Sequence, residues 1–251
     1  MSINNTNRAY LLNSFTLPLH AALVKLLDIT SVKKGTILPI FQRFKKIVMQ
    51  HSRTKKLDHF YSLCDKQSSV LDVGVSSNEH NDSVNLFLRN FRLNACQYTG
   101  LAIQPMDNIR KKYSKKNFVE YSGGIFPFSE NEFDWVFSNA VIEHVGNKND
   151  QILFVNEMLR VGKNVFFTTP NKWFPIESHT NVFFRHWFDN SFYEWCKLNK
   201  PFWSIDNLLL LGKENLNEIM EASNAKKYKI INNRILGWPM TFTVVCSKEN
   251  G

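Results

Sequence analysis

A short apolar segment followed by a glycine constrains the fold of this chain more than any other feature. Residues 70–73 are typical of a short buried strand, and Gly74 follows that strand directly. A glycine has no Cβ atom, so the backbone at this turn can approach a neighbouring group closely. Helix-compatible residues begin soon afterwards, at about 82–91. This order of strand, sharp turn and helix predicts the first unit of an α/β sheet that binds its ligand at the strand ends.

Strand and helix patterns alternate along the rest of the chain. Further strands are expected at about residues 97–103, 117–121, 132–138, 164–169, 226–235 and 240–248. Helices are expected at about residues 105–113, 148–161 and 206–222. Phe133, Trp135, Val136 and Phe137 make residues 132–138 a largely apolar run broken by Asp134, as in parallel strands that are buried on both faces. The predicted fold is an α/β, Rossmann-like sheet of about seven strands, mostly parallel, with an antiparallel C-terminal strand and helices on both faces.

The N-terminal part of the chain is strongly basic. The 251 residues include 31 Lys and Arg against 22 Asp and Glu, a net charge of +9. Residues 1–60 hold ten of these basic residues, and their acidic residues are Asp28 and Asp58. We therefore predict a basic helical extension at residues 1–60, followed by the sheet domain at residues 61–251. The charge suits an acidic partner, such as an anionic membrane surface, a nucleic acid or an acidic ligand, and the alternative is a solvated basic face.

The cysteines and the hydropathy bear on the class of protein. The four cysteines are scattered and form no Cys-x-x-Cys pair. Neither a zinc knuckle nor a redox dithiol is therefore expected. No apolar run is long enough to cross a bilayer, and no signal peptide is expected. Reduced thiols in a cytoplasmic protein are the expected state.

The richest motif of the chain runs from Phe126 to Gly146 and reads Phe-Pro-Phe-Ser-Glu-Asn-Glu-Phe-Asp-Trp-Val-Phe-Ser-Asn-Ala-Val-Ile-Glu-His-Val-Gly. It resembles the class I S-adenosylmethionine-dependent methyltransferases of the small-molecule type, which carry an LPF…FD.V.S....EHV signature. Leu159-Arg-Val and Phe166-Phe-Thr-Thr-Pro-Asn continue the resemblance, which covers about residues 68–180.

The resemblance implies S-adenosylmethionine as the cofactor. The implied reaction is methyl transfer to a small-molecule acceptor, of which a sugar or a lipid-linked molecule is an example. It assigns three parts of the chain to the cofactor. They are the loop after the first strand, with Asp72, Gly74 and Val75; the ends of the second and third strands, with Ala102, Ile103, Ser122 and Gly123; and the end of the fourth strand, with Ser138 and Asn139.

Four positions depart from the family pattern. Ser76 and Asn78 replace the second and third glycines of the usual Asp-x-Gly-x-Gly-x-Gly loop, and asparagine adopts the left-handed conformation fairly readily. Ala102 and Ser122 stand where the family usually carries acidic residues for the ribose and the adenine, and Gln104 is a weak substitute. A hydrogen bond to a charged group contributes about 1.5–3 kcal/mol, so the loss of two carboxylates would weaken cofactor binding. The alternative is therefore a catalytically inactive, methyltransferase-like binding protein.

The acceptor side is expected at residues 171–205, an aromatic insertion that we interpret as a lid. His144 follows the fourth strand and His179 lies in the insertion. A histidine can act as a base near neutral pH, so we predict that both residues position the acceptor or remove its proton. The alternative is that both are structural. A metal is not expected, because His179 and His186 are seven residues apart and have no clear third ligand.

Overall fold

The computed structural model describes residue 50, residues 52–79 and residues 84–248. These residues belong to one of the two units into which the chain divides, Met49–Gly251. Its first helix, α1, covers residues 52–63 and places Leu57 and Phe60 in the core. The predicted domain boundary after residue 60 therefore falls inside α1. The predicted basic extension lies mostly outside the described residues, so its structure and its role stay predictions.

A seven-stranded sheet forms the centre of the described unit. Its strands are β1 (Val70–Val73), β2 (Tyr98–Ala102), β3 (Asn117–Glu120), β4 (Phe133–Asn139), β5 (Gly162–Pro170), β6 (Lys227–Ile235) and β7 (Trp238–Ser247). Their spatial order is β3-β2-β1-β4-β5-β7-β6. Strands β1 to β5 pair in parallel, and β7 pairs antiparallel with both β5 and β6. The predicted sheet is confirmed, and its strand order reverses between β1 and β4, where such sheets bind ligands.

Five further helices follow α1 among the described residues. They are α2 (Leu86–Arg89), α3 (Asp107–Lys112), α4 (Lys148–Val161), α5 (Asp189–Asn199) and α6 (Lys213–Ala222). The bounds of α4 agree with the prediction, whereas α6 begins at Lys213 instead of residue 206. Helix α5 was not predicted. It lies inside the aromatic insertion, where Phe192 and Cys196 pack in a small cluster with Leu208 and Leu210.

Two hydrophobic clusters cover the two faces of the sheet. Side chains of α4 and α6 contribute to one cluster, and side chains of α1, α2 and α3 contribute to the other. Phe60 of α1 is central to the second cluster. Its ring meets four aromatic rings edge-on at centroid distances of 5.2–5.6 Å, those of Phe87, Trp135, Phe137 and Phe166. Helices on both faces are confirmed, and α1 is an integral part of the fold because its aromatic side chain fills the core.

The structure also describes the cysteines, for which reduced thiols are expected, and the helices, of which none is expected to cross a bilayer. All four cysteines are described, and all four are free thiols. Over residues 52–79 and 84–248, no helix combines the length and the apolar character that crossing a bilayer requires.

Asp72 is a buried carboxyl group in β1. Its side chain faces the aromatic cluster, where the Tyr98 hydroxyl donates a hydrogen bond of 2.6 Å to Oδ2. Burial raises the pKa of Asp72 to about 7, although the Tyr98 hydrogen bond and the Lys116 charge act in the opposite direction. Asp72 thus supports the end of β1 from within the core. Its contact with the cofactor, expected from the sequence, stays a prediction.

We expect Asp72→Asn to remove a pH-dependent part of the stability. The pKa of this group in the folded protein lies above its unfolded value, so its stabilising contribution is complete below about pH 4 and is lost as the pH rises towards about 7. Between about pH 5 and pH 8, the free energy of unfolding of the wild type should fall by about 2–3 kcal/mol relative to the variant. Urea unfolding at both pH values measures this difference. An identical pH dependence in the two proteins would refute the assignment.

Candidate active site

Gly74 forms the turn at the end of β1, beside the point where the strand order reverses. Its φ is 94°, in the left-handed region that favours glycine. A Cβ atom built on Gly74 would lie 2.3 Å from Cγ2 of Val141, which follows β4. The backbone N–H groups of Gly74 and Val75 both donate to the Leu101 carbonyl, at 2.9 and 3.2 Å. Position 74 therefore requires glycine, because Val141 leaves no room for a Cβ atom. The two hydrogen bonds and this contact fix the loop against β2 and the end of β4.

The rest of this loop is held without the usual glycines. Asn85, just before α2, has a φ of 52°. Its Oδ1 accepts a hydrogen bond of 2.8 Å from Ser76 N, and its Nδ2 donates one of 2.9 Å to Ser76 O. The expected explanation, a left-handed Asn78, is wrong, because neither Ser76 nor Asn78 has a positive φ. Side-chain hydrogen bonds from Asn85 replace the conformational freedom that glycines give to this loop in the family.

The ends of β2 and β3 form an open, partly apolar rim. The two strands pair in parallel, so their carboxyl ends lie side by side. Ile103 follows β2 and Ile125 follows β3, and these side chains are 69% and 63% exposed. Ser122 and Gly123 are also exposed, and a Cβ atom built on Gly123 would meet no atom of the described residues within 4 Å. Two exposed isoleucines beside open backbone form a surface that the flat adenine of an adenosyl group would cover.

The carboxylates that usually bind the ribose and the adenine are replaced at this rim. Ala102 is 1% exposed within the core, and Ser122 carries no charge. Gln104 bonds to the β1 loop, where its Oε1 accepts a hydrogen bond of 2.7 Å from Ser77 Oγ. The residues present therefore fit an adenosyl group through apolar contact and close backbone approach, without a charged partner.

The end of β4 contributes Ser138 and Asn139, which the sequence placed beside the cofactor. Ser138 is 1% exposed, and its hydroxyl donates to the Val73 carbonyl at 3.2 Å, which ties β4 to β1. Asn139 is exposed, and its Oδ1 accepts hydrogen bonds from Thr168 Oγ1 at 2.8 Å and from Lys56 Nζ at 3.3 Å. Ser138 thus has a structural role between the strands, while Asn139 lies at the open end of β4.

Lys56 is a buried cation at this site that sequence analysis missed. It lies on α1 and is 7% exposed. Burial lowers the pKa of Lys56 to about 8; nearby Arg53 lowers it further, and Glu143 raises it. Ser52, Lys56 and Phe60 are spaced by four residues and so share one face of α1. This spacing is visible in the sequence, but Lys56 belongs there to the predicted basic extension at residues 1–60.

Glu143 is a buried carboxylate with an incomplete set of partners. It lies on the short 3-10 helix Ile142–His144 that follows β4, and it is 1% exposed. Thr169 Oγ1 donates a hydrogen bond of 2.9 Å to Oε2. The other oxygen, Oε1, is buried and has no hydrogen-bond partner among the residues that the structure describes. Since an unpaired buried charge is costly, a cation or a donor at Oε1 would be strongly favoured.

His144 and His179, the two predicted acceptor-side residues, lie in contact. Their ring centroids are 4.9 Å apart at an interplanar angle of 87°. Trp203 packs against both rings, at centroid distances of 5.6 and 5.0 Å. His144 Nδ1 lies 2.8 Å from the Asn207 carbonyl oxygen, which can only accept a hydrogen bond. His144 Nδ1 therefore carries the proton, and the lone pair of a neutral His144 is on Nε2.

Glu177 orients the ring of His179. Its carboxylate is 3% exposed and lies 2.7 Å from His179 Nδ1. The backbone N–H groups of His179 and Thr180 and the Thr180 hydroxyl also donate to it. Burial raises the pKa of Glu177, but these bonds, the largest from His179, outweigh it and lower the pKa to about 2. The ionised Glu177 keeps the His179 proton on Nδ1, so the lone pair of a neutral ring is on Nε2.

Protein-family models give a match over the strands that carry this site. Residues 71–165 match the model described as Methyltransferase domain. These residues form a class I methyltransferase domain. The resemblance to methyltransferases that the motif Phe126–Gly146 indicated is confirmed for this domain.

Solved structures share the fold of the methyltransferase domain. A SAM-dependent methyltransferase of Thermotoga maritima, described as a possible histamine N-methyltransferase, has a TM-score of 0.54 at 13% identity over 84% of this chain and 96% of its own. YcgJ of Bacillus subtilis has a TM-score of 0.52 at 12% identity over 80% of this chain and 100% of its own. The [4+2]-cyclase SpnF has a TM-score of 0.51 at 15% identity over 80% of this chain and 81% of its own. Since one of these proteins is named for another reaction, the fold by itself does not fix the reaction.

Two curated relatives match a shorter segment. The uncharacterized proteins MT1557 and Rv1509 of Mycobacterium tuberculosis are each 39% identical to this chain over 54 residues, which is 22% of this chain and 18% of theirs. The match thus spans about a fifth of the length of these relatives.

The aromatic insertion follows the residues that match the family model, and it contains a further histidine, His186. His186 is 1% exposed, and its Nε2 lies 2.8 Å from the Phe174 carbonyl. Burial lowers the pKa of His186. Trp173 and Phe188 of the same insertion are 44% and 39% exposed. His186 therefore supports the insertion from inside, while aromatic side chains face outward.

Proposed function

We propose that this chain transfers a methyl group from S-adenosylmethionine to a small-molecule acceptor by direct displacement. The observation that carries the proposal is the adjacency of two features across neighbouring strands. The open rim lies at the ends of β2 and β3, the Gly74 turn ends β1 between β2 and β4, and the cluster of Glu143, His144 and His179 follows β4 and β5. A ligand at the point of strand reversal would lie between them.

The chemistry places most of the demand on the acceptor side. When bound, S-adenosylmethionine supplies a sulfonium methyl group that leaves with the C–S bonding electrons remaining on sulfur. Because this leaving group needs no acid, the side chains of this protein act by orientation and by electrostatics. His144 and His179 hold the nucleophilic atom of the acceptor, and a neutral imidazole takes the proton that this atom loses on methylation. Glu177 keeps the His179 ring in position for that role.

The surroundings of the histidines favour a partly apolar acceptor. Trp203 packs against both imidazole rings, and the insertion exposes Trp173 and Phe188. Aromatic side chains combined with a few polar groups suit a partly apolar small molecule or the face of a sugar. A sugar or a lipid-linked acceptor belongs to this class.

We expect Ile103→Ala and Ile125→Ala each to weaken S-adenosylhomocysteine binding about 5- to 20-fold, because each change removes apolar area that the adenine would bury. Both side chains are more than 60% exposed, so the melting temperature should hardly change. Leu236→Ala, at a residue that is 92% exposed in the β6–β7 turn, is the matched control. Isothermal titration calorimetry measures the affinities. Equal binding in all four proteins would exclude the isoleucines from the adenine site.

Methyl transfer itself can be tested with methyl-labelled S-adenosylmethionine and a protein-free extract of small metabolites. The proposal predicts that the label appears in small molecules and that S-adenosylhomocysteine forms with it. Label found in added protein or nucleic acid, and none in small molecules, would overturn the proposed acceptor class.

A binding protein without methyl transfer is the second candidate function. The observation that favours it is the replacement of both usual carboxylates, by the buried Ala102 and the uncharged Ser122. Such a protein would keep the fold and the rim but bind S-adenosylmethionine weakly or not at all. A cytoplasmic location, and an acidic partner such as a membrane surface or a nucleic acid for residues 1–60, stay predictions beside both functions.

A further inference from the structure

We propose that Glu143, His144 and His179 form a binding site for a divalent transition-metal ion such as Zn²⁺. The sequence predicts no metal site, because His179 and His186 are seven residues apart and have no clear third ligand near them in the chain. The fold instead brings His179 to two consecutive residues after β4, one of which is a carboxylate.

The three side chains converge closely enough to share one ion. One ligand atom from each residue lies within 4.8 Å of the ligand atoms of the other two. A tetrahedral zinc ion with bonds of about 2.0–2.1 Å separates its ligand atoms by roughly 3.3 Å. The side chains would therefore close on the ion by small rotations, without a change in the backbone.

Hydrogen bonds already orient both imidazole rings as metal ligands. His144 Nδ1 donates to the Asn207 carbonyl at 2.8 Å, and His179 Nδ1 donates to the Glu177 carboxylate at 2.7 Å. Each bond keeps the proton on Nδ1 and places the lone pair on Nε2. A backbone carbonyl and a carboxylate are the usual outer partners of metal-bound histidines, because they fix the tautomer and raise the basicity of the ring.

The third ligand provides an independent reason to expect a cation. Within residues 52–79 and 84–248, Glu143 Oε1 is buried and lacks a hydrogen-bond partner, while Oε2 accepts a hydrogen bond from the Thr169 hydroxyl. The nearby cation Lys56 donates to Asn139 Oδ1, and no hydrogen bond joins it to Glu143 Oε1 among the described residues. A metal ion at Oε1 would neutralise the buried charge and satisfy this oxygen.

The donor set indicates which ions the site would take. Imidazole nitrogens suit zinc and the neighbouring first-row metals, whereas Mg²⁺ prefers oxygen ligands and water. Two histidines and one carboxylate leave at least one coordination position open. If the proposed function is correct, on which this step rests, that position holds the nucleophilic oxygen or nitrogen of the acceptor. With the ion bound, both Nε2 atoms would be ligands, so the acceptor proton would pass to water; an imidazole would take this proton only in the metal-free protein.

Zinc binding can be measured on the metal-stripped full chain without any other ligand, by isothermal titration and by elemental analysis after dialysis. One equivalent of Zn²⁺ should bind, and Mg²⁺ should bind at least 100-fold more weakly. His144→Ala, His179→Ala and Glu143→Gln should each lower the zinc affinity at least 100-fold. Glu177→Gln should lower it 10- to 100-fold, because this carboxylate holds only the outer side of His179. His59→Ala, at a partly exposed histidine of α1 outside the cluster, is the control that should keep full binding.

A second measurement on the wild type protects the test against variants that fail to fold. Co²⁺ in a site with two histidines and a carboxylate should give visible absorption bands that Zn²⁺ abolishes. Absence of these bands, zinc affinity equal in His179→Ala and the wild type, or equal affinities for Zn²⁺ and Mg²⁺ would each overturn the proposal. Titration with S-adenosylhomocysteine separates this failure from that of the proposed function. A protein that binds zinc but does not bind S-adenosylhomocysteine refutes methyl transfer. A protein that binds S-adenosylhomocysteine but does not bind zinc refutes the metal site.

Discussion

Gly74→Ala is expected to destabilise the methyltransferase domain by about 3–4 kcal/mol. Two costs combine in this estimate. A non-glycine residue at a φ of 94° is strained by about 1–2 kcal/mol. The added methyl group would also lie 2.3 Å from Val141 Cγ2, and such overpacking costs about 1–3 kcal/mol. Urea unfolding of the full chain measures the loss.

Two further variants separate strain from overlap at Gly74. Gly237→Ala is the matched control, since Gly237 has a φ of 83° but a Cβ atom there would meet nothing within 4 Å. It should cost about 1 kcal/mol, the strain alone. In the double variant Gly74→Ala with Val141→Ala, the overlap with the Cγ atoms is removed, so stability should partly recover relative to the sum of the single changes. Equal costs of Gly74→Ala and Gly237→Ala would contradict the contact with Val141.

His179→Ala is expected to lower the turnover of methyl transfer about 10³-fold while leaving the affinity for S-adenosylhomocysteine unchanged. Loss of a group that positions an acceptor or takes its proton commonly costs 10²- to 10⁴-fold in rate. The rim at the ends of β2 and β3 is formed by residues that do not include His179, so cofactor binding should persist. Transfer of label from S-adenosylmethionine to the methylated small-molecule fraction gives the rate, and calorimetry gives the affinity.

Leu198→Ala is the control for this change, because Leu198 lies on α5 of the same insertion and is 87% exposed. It should retain the turnover of the wild type. If His179→Ala lowered turnover and cofactor affinity by the same factor, a general disturbance of the domain would explain the effect, and the acceptor role of His179 would be refuted.

The positions of the strands and of α4 along the chain could be predicted because the relevant information is local. Apolar runs end at turns, and α4 begins after Asn147, whose side chain accepts hydrogen bonds from the first turn of the helix. Helix α5 escaped prediction for a physical reason. Its buried side chains, Phe192 and Cys196, are one turn apart in a segment where aromatic residues lie on every side. Tyr193, Trp195 and Leu198 of the same helix are apolar but are not buried, so the apolar pattern does not separate core from surface.

The candidate site could be predicted in part. Motif positions placed His144 and Asn139 after β4, because a strand end fixes its neighbours in the chain. The partners of these residues depend on long-range packing and could not be found in this way. Lys56 reaches Asn139 because Phe60 docks α1 on the aromatic cluster. Glu143 meets His179 through a fold-back of the insertion that no local pattern records.

Every step of the proposed reaction requires S-adenosylmethionine at the rim, so titration of the full chain with this cofactor is the decisive experiment. We expect saturable one-to-one binding with a dissociation constant in the micromolar range, weakened by Ile103→Ala and unaffected by His179→Ala. Absence of binding at millimolar S-adenosylmethionine, in protein that melts cooperatively, would contradict it and would favour a domain that keeps the methyltransferase fold for another ligand.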